Sequence, residues 1–177
     1  DVVRLLRVLE SRFSRTTINI GVSGQARVGK STLLQSISAL DDGQIQPFFQ
    51  PICAVDGTIT AIEALVRWVH PLRGVLGVGE ILPLARMAGL AEAVDDQVLD
   101  QALKFAARLV ASGYPEIEVH VNIDPKVISR AAFGASFLER CRRAGADPTQ
   151  LVIEITETDL LSPGAASLAN MQKLRFA

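Results

Sequence analysis

Short apolar segments alternate with amphipathic segments along most of this 177-residue chain. The apolar runs at residues 59–68, 118–123 and 151–156 have strand length, whereas residues 80–111 and 131–144 repeat apolar positions at helical spacing. Strands that alternate with helices pair in parallel, because the chain crosses back over the sheet between them. We therefore predict an α/β fold in which these strands share one sheet.

A further strand is predicted at residues 47–55, ahead of this alternation. The dipeptide Asp56-Gly57 separates it from the next strand and is a strong signal for a tight hairpin turn. These first two strands are therefore expected to be antiparallel neighbours.

Glycines also mark the boundaries of the predicted helices. Gly89 is expected to divide the helical region at 80–111 into two pieces, and Gly145 is expected to cap the helix at 131–144. Residues 70–79 are rich in glycine and are predicted to form a loop.

Each of the three parallel strands carries a polar side chain near its C-terminal end. Glu63 and Arg67 lie on the first, Asn122 on the second and Glu154 on the third. In α/β folds the active site lies at the carboxyl ends of parallel strands. Oxygen ligands from the two glutamates and the asparagine suit Mg²⁺ or Mn²⁺, which are hard cations. Taken alone, the glutamate and arginine of the first strand favour a structural interpretation, either a buried ion pair or a strand end where both charges reach water, and the functional interpretation stays open at this point.

A different set of residues near the start of the chain fits phosphate binding. Residues 24–32 read Gly-Gln-Ala-Arg-Val-Gly-Lys-Ser-Thr, between a strand-like segment at 16–22 and a helix-like segment. This is the phosphate-binding loop pattern, in which backbone N–H groups and a helix N-terminus hold phosphate oxygens. We predict that GTP or ATP phosphates are bound by five residues of this loop: Gly24, Gly29, Lys30, Ser31 and Thr32.

The phosphate-binding segment resembles the start of the P-loop GTPases over about the first forty residues. Such enzymes also need a strand that holds Mg²⁺ and an element that recognises the base. The sequence contains neither Asp-x-x-Gly nor Asn-Lys-x-Asp after the loop. A glycine-rich turn with a chance lysine is therefore the alternative interpretation.

Composition narrows the range of functions. The net charge of −1 argues against non-specific nucleic-acid binding. Two cysteines, Cys53 and Cys141, form neither a disulfide framework nor a metal-site spacing. The sequence shows no secretory signal and no apolar run long enough to span a bilayer, so we expect a cytoplasmic protein.

Several short motifs follow one another in the second part of the chain. They are Phe49-Gln50-Pro51-Ile52, Glu63-Ala64-Leu65-Val66-Arg67-Trp68, His70-Pro71, Leu84-Ala85 with Gly89-Leu90, Val121-Asn122-Ile123 and Glu154-Ile155-Thr156-Glu157. Together they resemble the EAL-domain cyclic di-GMP phosphodiesterases, whose name comes from the Glu-Ala-Leu triplet.

This resemblance implies a TIM-like barrel whose first strand runs antiparallel to the others. It implies that Glu63, Asn122 and Glu154 bind Mg²⁺ or Mn²⁺ in a two-metal centre. It also implies that cyclic di-GMP contacts three residues, namely Gln50, Leu65 and Arg67, with the arginine on a phosphate. Glu157 matches a motif position, and no ligand role is assigned to it.

We therefore divide the chain into a P-loop nucleotide-binding-like fragment at 1–41 and a truncated EAL-like half barrel at 42–177. The expected fold is α/β, a partial TIM-like barrel preceded by a helix–strand–P-loop–helix segment. The chain is either a fusion of two fragments, in which the strand at 18–22 extends the sheet, or a piece of a longer natural protein. A homodimer could cover the open edge of the sheet.

Three functions remain possible on the sequence alone. The first is a cyclic di-GMP phosphodiesterase-like domain with weak or absent activity, because the later metal-binding motifs of the family are not found in this sequence. The second is a nucleotide-binding module that uses the loop at 24–31. The third is a non-enzymatic scaffold, natural or engineered, that dimerises.

Two groups of basic side chains are interpreted as structural. His120 faces away from Val119 and Val121, and its neighbours in sequence supply no evident acidic partner for catalysis. The three arginines of the helix at 131–144, which are Arg140, Arg142 and Arg143, are expected to form a solvated helix face.

Overall fold

The computed structural model describes residues 39–40 and 42–155. The strands are β1 (Ile45–Cys53), β2 (Ile59–His70), β3 (Gly74–Leu76), β4 (Glu118–Asn122) and β5 (Leu151–Glu154). The helices are α1 (Val78–Ala88), α2 (Ala91–Ala111), α3 (Pro125–Ile128) and α4 (Phe133–Ala144). The predicted phosphate-binding loop, the strand expected before it and Glu157 lie outside the described residues.

The strands form one mixed sheet in the order β1-β2-β4-β5, and β3 pairs with the C-terminal end of β2. β1 is antiparallel to β2, whereas β2, β4 and β5 are parallel. The predicted α/β class and the antiparallel first pair are therefore confirmed. The pairing is consistent with a partial TIM-like barrel.

The Asp56-Gly57 turn forms as predicted and joins β1 to β2. The backbone N–H of Thr58 donates to Oδ1 of Asp56 over 2.9 Å. Gly57 has a φ of 87°, a left-handed conformation that glycine adopts without a steric penalty. The backbone N–H of Ala54 donates to the carbonyl of Thr58 over 2.8 Å and closes the hairpin.

Gly89 and Gly145 end α1 and α4, as the sequence predicts. Both have a φ of 69°, and their backbone N–H groups donate to carbonyls of the preceding turn. The loop predicted at 70–79 is wrong in part, because it contains the short strand β3. There the Nδ1 atom of His70 accepts hydrogen bonds from the backbone N–H groups of Leu72 and Arg73, which turns the chain back along β2.

The hydrophobic core lies between the sheet and α2, which packs on β1, β2 and β4. Successive side chains of a strand point to opposite faces, so alternate residues of each strand enter this core. The buried residues of the sheet include Ile62, Ala64, Val119 and Val121, and those of α2 include Leu99, Leu103, Phe105 and Ala106. The intervening residues of β2, β4 and β5, among them Glu63, Asn122 and Glu154, therefore lie on the face away from α2.

α4 is held on α2 by hydrogen bonds from Arg140 as well as by apolar contact. Arg140 donates from Nε to Asp100 over 2.8 Å and from its terminal nitrogens to the side chain and carbonyl of Asp96. Its side chain is only 16% exposed. Arg140 is thus not part of a solvated face, and that prediction is wrong for it. Arg142 and Arg143 do remain exposed, where they pair with Glu139.

Replacement of Arg140 by methionine is expected to lower the free energy of unfolding by about 2 kcal/mol, because the partly buried Asp96 loses one of the two arginines that bind it. Urea unfolding at pH 7 measures this, with the slope m checked to be unchanged. Arg142→Met is the matched control, since that side chain is 74% exposed and its ion pair contributes little. Equal losses for the two variants would contradict the inference.

Candidate active site at the ends of the parallel strands

The three predicted metal ligands lie on one face of the sheet. Asn122 and Glu154 are paired in the register of β4 and β5, and Glu63 is paired with His120 in the register of β2 and β4. The Nδ2 atom of Asn122 donates to Oε1 of Glu63 over 2.9 Å. Parallel pairing thus brings side chains together that are far apart in the sequence.

A cavity of about 360 Å³ opens at the C-terminal ends of β2, β4 and β5, and residues of α1 and α2 also line it. Its lining includes most of the residues predicted from the sequence, namely Glu63, Leu65, Arg67, Asn122 and Glu154. Two charged residues that the sequence did not indicate, Arg86 and Asp95, also line it, as does Asp124, a polar residue that follows Asn122 at the strand end. Gln50 lies opposite Glu63 in the β1–β2 pairing, and it does not line this cavity.

Arg67 does not form the ion pair with Glu63 that was the alternative interpretation of this strand. Its Nη1 atom donates to the carbonyl of Val66 over 2.8 Å. Among the described residues, no ion pair joins the two side chains, although both line the cavity. The guanidinium therefore lies beside the cavity as a donor for an anion rather than as a partner of this acid.

His120 has two acidic partners, so the expectation of none is wrong. Its Nδ1 atom lies 2.7 Å from Oε1 of Glu154, and its Nε2 atom lies 3.5 Å from Oε2 of Glu118. Glu118 is two residues earlier on the same face of β4, a spacing that the sequence does show. Glu154 comes from the neighbouring strand, and its proximity depends on the parallel register.

Asp95 is a functional candidate that the sequence analysis missed. Burial raises its pKa to about 6, and the nearby charges of Asp124 and Asp96 add to this rise. Its Oδ2 atom accepts a hydrogen bond from the backbone N–H of Asp124 over 2.9 Å, which favours the ionised form and opposes the shift. This bond ties α2 to the segment that follows Asn122. In the sequence, Asp95 was marked only by its position next to Val94, which repeats with Val98 on the apolar face of the helix.

Asp124 begins α3 and also faces the cavity. Its Oδ1 atom accepts from the backbone N–H of Lys126 over 2.9 Å, so it is the N-cap of this helix. Its Oδ2 atom lies 3.9 Å from Arg86 of α1. The segment after β4 is therefore held by α1, α2 and its own helix cap.

The donor atoms at the strand ends fit one side of a site for a hard cation. Two carboxylates and one side-chain amide are the oxygen ligands that Mg²⁺ and Mn²⁺ accept. The Asn122 amide must turn to present Oδ1, because its NH₂ group now faces Glu63. Within residues 39–40 and 42–155, no three His, Cys, Asp or Glu side chains come together as a complete metal cluster. Further ligands would have to be water, substrate or other residues.

Asp95→Asn is expected to raise the free energy of unfolding at pH 7 by roughly 1–2 kcal/mol in EDTA. The folded-state pKa of Asp95 lies above its ordinary value of 3.8, so its contribution to stability is full below pH 3.8 and is lost as pH rises through about 6. At pH 7 the unsubstituted chain therefore bears a buried charge that asparagine lacks. Urea unfolding at pH 7 and pH 4 measures the difference, which should shrink at pH 4.

The neighbouring Asp96→Asn variant is the matched control for this effect. Burial tends to raise the pKa of Asp96, but hydrogen bonds from Arg140 and Arg130 outweigh it and lower that pKa. The ionised form of Asp96 is thus favoured in the folded chain, and Asp96→Asn should destabilise it at pH 7. Destabilisation by both variants would contradict the assignment of Asp95.

Among the helices that the structure describes, none combines the length and the apolar character needed to cross a membrane.

Comparison with known proteins places these observations in a family. The sequence matches the family described as EAL domain over residues 33–177. The bifunctional diguanylate cyclase/cyclic di-GMP phosphodiesterase MucR of Pseudomonas aeruginosa is 30% identical over 137 residues, which are 77% of this chain and 20% of that protein. The cyclic di-GMP phosphodiesterase NbdA of the same organism is 33% identical over 138 residues, which are 77% of this chain and 18% of that protein.

A solved structure supports the same relationship. The PaMucR phosphodiesterase in its c-di-GMP complex superposes with a TM-score of 0.74 and 29% identity, over 81% of this chain and 59% of that one. The chain thus spans about a fifth of the curated relatives named above and less than two thirds of this structure. Since the family match covers well over half of the sequence, the chain belongs to the EAL domain family.

Proposed function

We propose that this chain binds cyclic di-GMP in the cavity at the ends of β2, β4 and β5, and that the cavity forms one side of a metal-dependent phosphodiesterase centre. The observation that carries the proposal is the convergence of Glu63, Asn122, Glu154 and Arg67 on one cavity. Membership of the EAL domain family supports it, because named relatives are cyclic di-GMP phosphodiesterases. The relative with a solved structure was captured with c-di-GMP.

Each residue has a distinct role in this proposal. The carboxylates of Glu63 and Glu154 and the Oδ1 atom of Asn122 would hold Mg²⁺ or Mn²⁺. When bound, such a cation polarises a phosphodiester and makes a water molecule more acidic. Arg67 would donate two parallel hydrogen bonds to a phosphate, a geometry that guanidinium groups favour. Leu65 would give apolar contact to the ligand, and Gln50, across β1–β2 from Glu63, would contact it from the first strand.

We expect this chain to bind cyclic di-GMP but to hydrolyse it slowly or not at all. The described residues bring only two carboxylates and one amide to the strand ends, fewer ligands than a two-metal centre holds. A cyclic dinucleotide can still be held through its phosphates and bases without a complete metal centre. We therefore propose cyclic di-GMP binding as the main property of this chain, with weak or absent phosphodiesterase activity.

Isothermal titration with cyclic di-GMP, in EDTA and in Mn²⁺, tests the proposal. Arg67→Ala is expected to weaken binding about tenfold to a hundredfold, because a hydrogen-bonded charge contact with a phosphate is lost. Arg73→Ala is the matched control, since Arg73 pairs with Glu80 and does not line the cavity. An unsubstituted chain without measurable binding would exclude this function. Rapid formation of linear product in Mn²⁺ would contradict the expected weak activity while leaving the site in place.

The predicted phosphate-binding loop supports a second, separate function. It lies outside the described residues, and the family match begins after it, at residue 33. Binding of GTP or ATP by residues 24–32 therefore stays a prediction from the loop sequence. The division of the chain at residue 41, the fusion of two fragments and a homodimer that covers the sheet edge likewise stay predictions from the sequence.

Lys30→Ala is expected to abolish detectable GTP or ATP binding if this loop holds a nucleotide, because the lysine supplies the cation nearest the terminal phosphates. Arg27→Ala is the matched control, since it removes a cation from a variable position of the same loop and keeps the backbone N–H groups. Titration of the three proteins with each nucleotide in Mg²⁺ measures the effect. No heat from the unsubstituted chain would rule out the second function.

A further inference from the structure

His120 lies on β4, the middle one of the three strands that carry the candidate metal ligands. In the sheet register it is paired with Glu63 on β2 and with Val152 on β5. Its side chain is only 18% exposed, and it points to the same face as Glu63, Asn122 and Glu154. The histidine therefore lies among the three candidate metal ligands, without being one of them.

One nitrogen of His120 holds Glu154 through a short hydrogen bond. Nδ1 lies 2.7 Å from Oε1 of Glu154, and an ionised carboxylate only accepts hydrogen bonds, so Nδ1 is the donor. This bond uses one carboxylate oxygen and leaves Oε2 for another partner. Carboxylates that bind metals are themselves held by hydrogen bonds of this kind.

The backbone of Glu154 is held by Ile123, the residue that follows the strand carrying His120. The carbonyl of Glu154 accepts a hydrogen bond from the backbone N–H of Ile123 over 3.1 Å. The Glu154 side chain is 39% exposed, so without the imidazole it would be free to adopt several rotamers. Ordering such a side chain costs conformational entropy, which a cation would otherwise have to offset on binding.

His120 is poorly placed to bind a cation itself. Nδ1 is engaged by Glu154, and Nε2 is buried, without a hydrogen bond, at 3.5 Å from Oε2 of Glu118. Neither nitrogen is directed toward an open ligand position. Any effect of this histidine on a cation at the strand ends must therefore pass through Glu154.

We propose that His120 is a positioning residue, which orients the Glu154 carboxylate so that one of its oxygens faces a divalent cation. This inference rests on the proposed function, in which Glu154 is a metal ligand. It adds a residue that neither the EAL motifs nor the sequence analysis assigned to the site.

Mn²⁺ affinity, measured by electron paramagnetic resonance without substrate, tests the proposal on the full 177-residue chain. His120→Leu is expected to weaken Mn²⁺ binding about tenfold to a hundredfold, the usual effect of losing a group that orients a metal ligand. His120→Asn should recover much of this affinity, because its amide N–H can take the place of the Nδ1 donor. Circular dichroism and thermal unfolding establish that each variant is folded.

Glu118→Gln is the matched control on the same strand. It removes the acidic partner of Nε2 and leaves the bond from Nδ1 to Glu154 in place, so its Mn²⁺ affinity should stay within about twofold of the unsubstituted chain. A loss for Glu118→Gln as large as that for His120→Leu would mean that charge on β4, and not the bond to Glu154, sets the affinity. Equal losses for His120→Leu and His120→Asn would likewise overturn the proposal.

Glu154→Gln separates failure of this inference from failure of the proposed function. If the unsubstituted chain binds no Mn²⁺, the metal site of the proposed function is wrong and the inference falls with it. If Glu154→Gln loses affinity while a folded His120→Leu binds as tightly as the unsubstituted chain, only the positioning role is wrong. Loss in Glu154→Gln and His120→Leu, with recovery in His120→Asn, supports both.

Discussion

The parallel register of β2, β4 and β5 is the constraint on which the candidate site depends. Pairing of Glu63 with His120 and of Asn122 with Glu154 places these side chains on one face, while Val119 and Val121 enter the core on the other. A slip of one residue in β5 would turn Glu154 toward α2 and a core residue toward the cavity. The apolar core therefore fixes the positions of the polar residues, because burial of the wrong set would cost far more than any hydrogen bond at the site.

Helix α2 serves the core, the cavity and the outer surface through different faces. Its apolar face packs against the sheet. Asp95 lines the cavity and accepts a hydrogen bond from the segment after β4. The next residue, Asp96, is turned toward α4 and is bound by Arg140. Adjacent acids thus have opposite pKa shifts, because burial dominates at one and arginine hydrogen bonds outweigh it at the other. Because Asp95 and Asp96 are adjacent on α2, the position of the cavity wall is coupled to the packing of α4.

Local sequence signals predicted the backbone well. The Asp56-Gly57 turn, the helix ends at Gly89 and Gly145 and the parallel strands all follow from turn chemistry and apolar periodicity, and the structure has each of them. The strand β3 was missed, because three residues carry no periodicity and their pairing depends on the turn that His70 stabilises.

The side-chain partners were harder to predict than the strands. The set of strand-end residues was predicted, since each stands out in an apolar run. The roles of His120, Asp95 and Arg140 were not, because their partners lie 34, 29 and 44 residues away in the sequence and meet only in the folded chain. Short-range patterns indicate which residues are unusual, whereas tertiary register decides what they contact.

The charges around the cavity also bear on how an anionic ligand could enter it. Among the described residues, four acids line it, which are Glu63, Asp95, Asp124 and Glu154, and two cations do, which are Arg67 and Arg86. Arg86 lies 3.9 Å from Asp124. A cyclic dinucleotide carries two phosphate charges, and like charges repel strongly where water is partly excluded. On the proposed function, a divalent cation would therefore strengthen binding of the ligand in addition to its part in cleavage of the phosphodiester. Burial raises the pKa of Asp95 to about 6, so this carboxyl becomes neutral, and one of the repelling charges is removed, only when the pH falls below about 6.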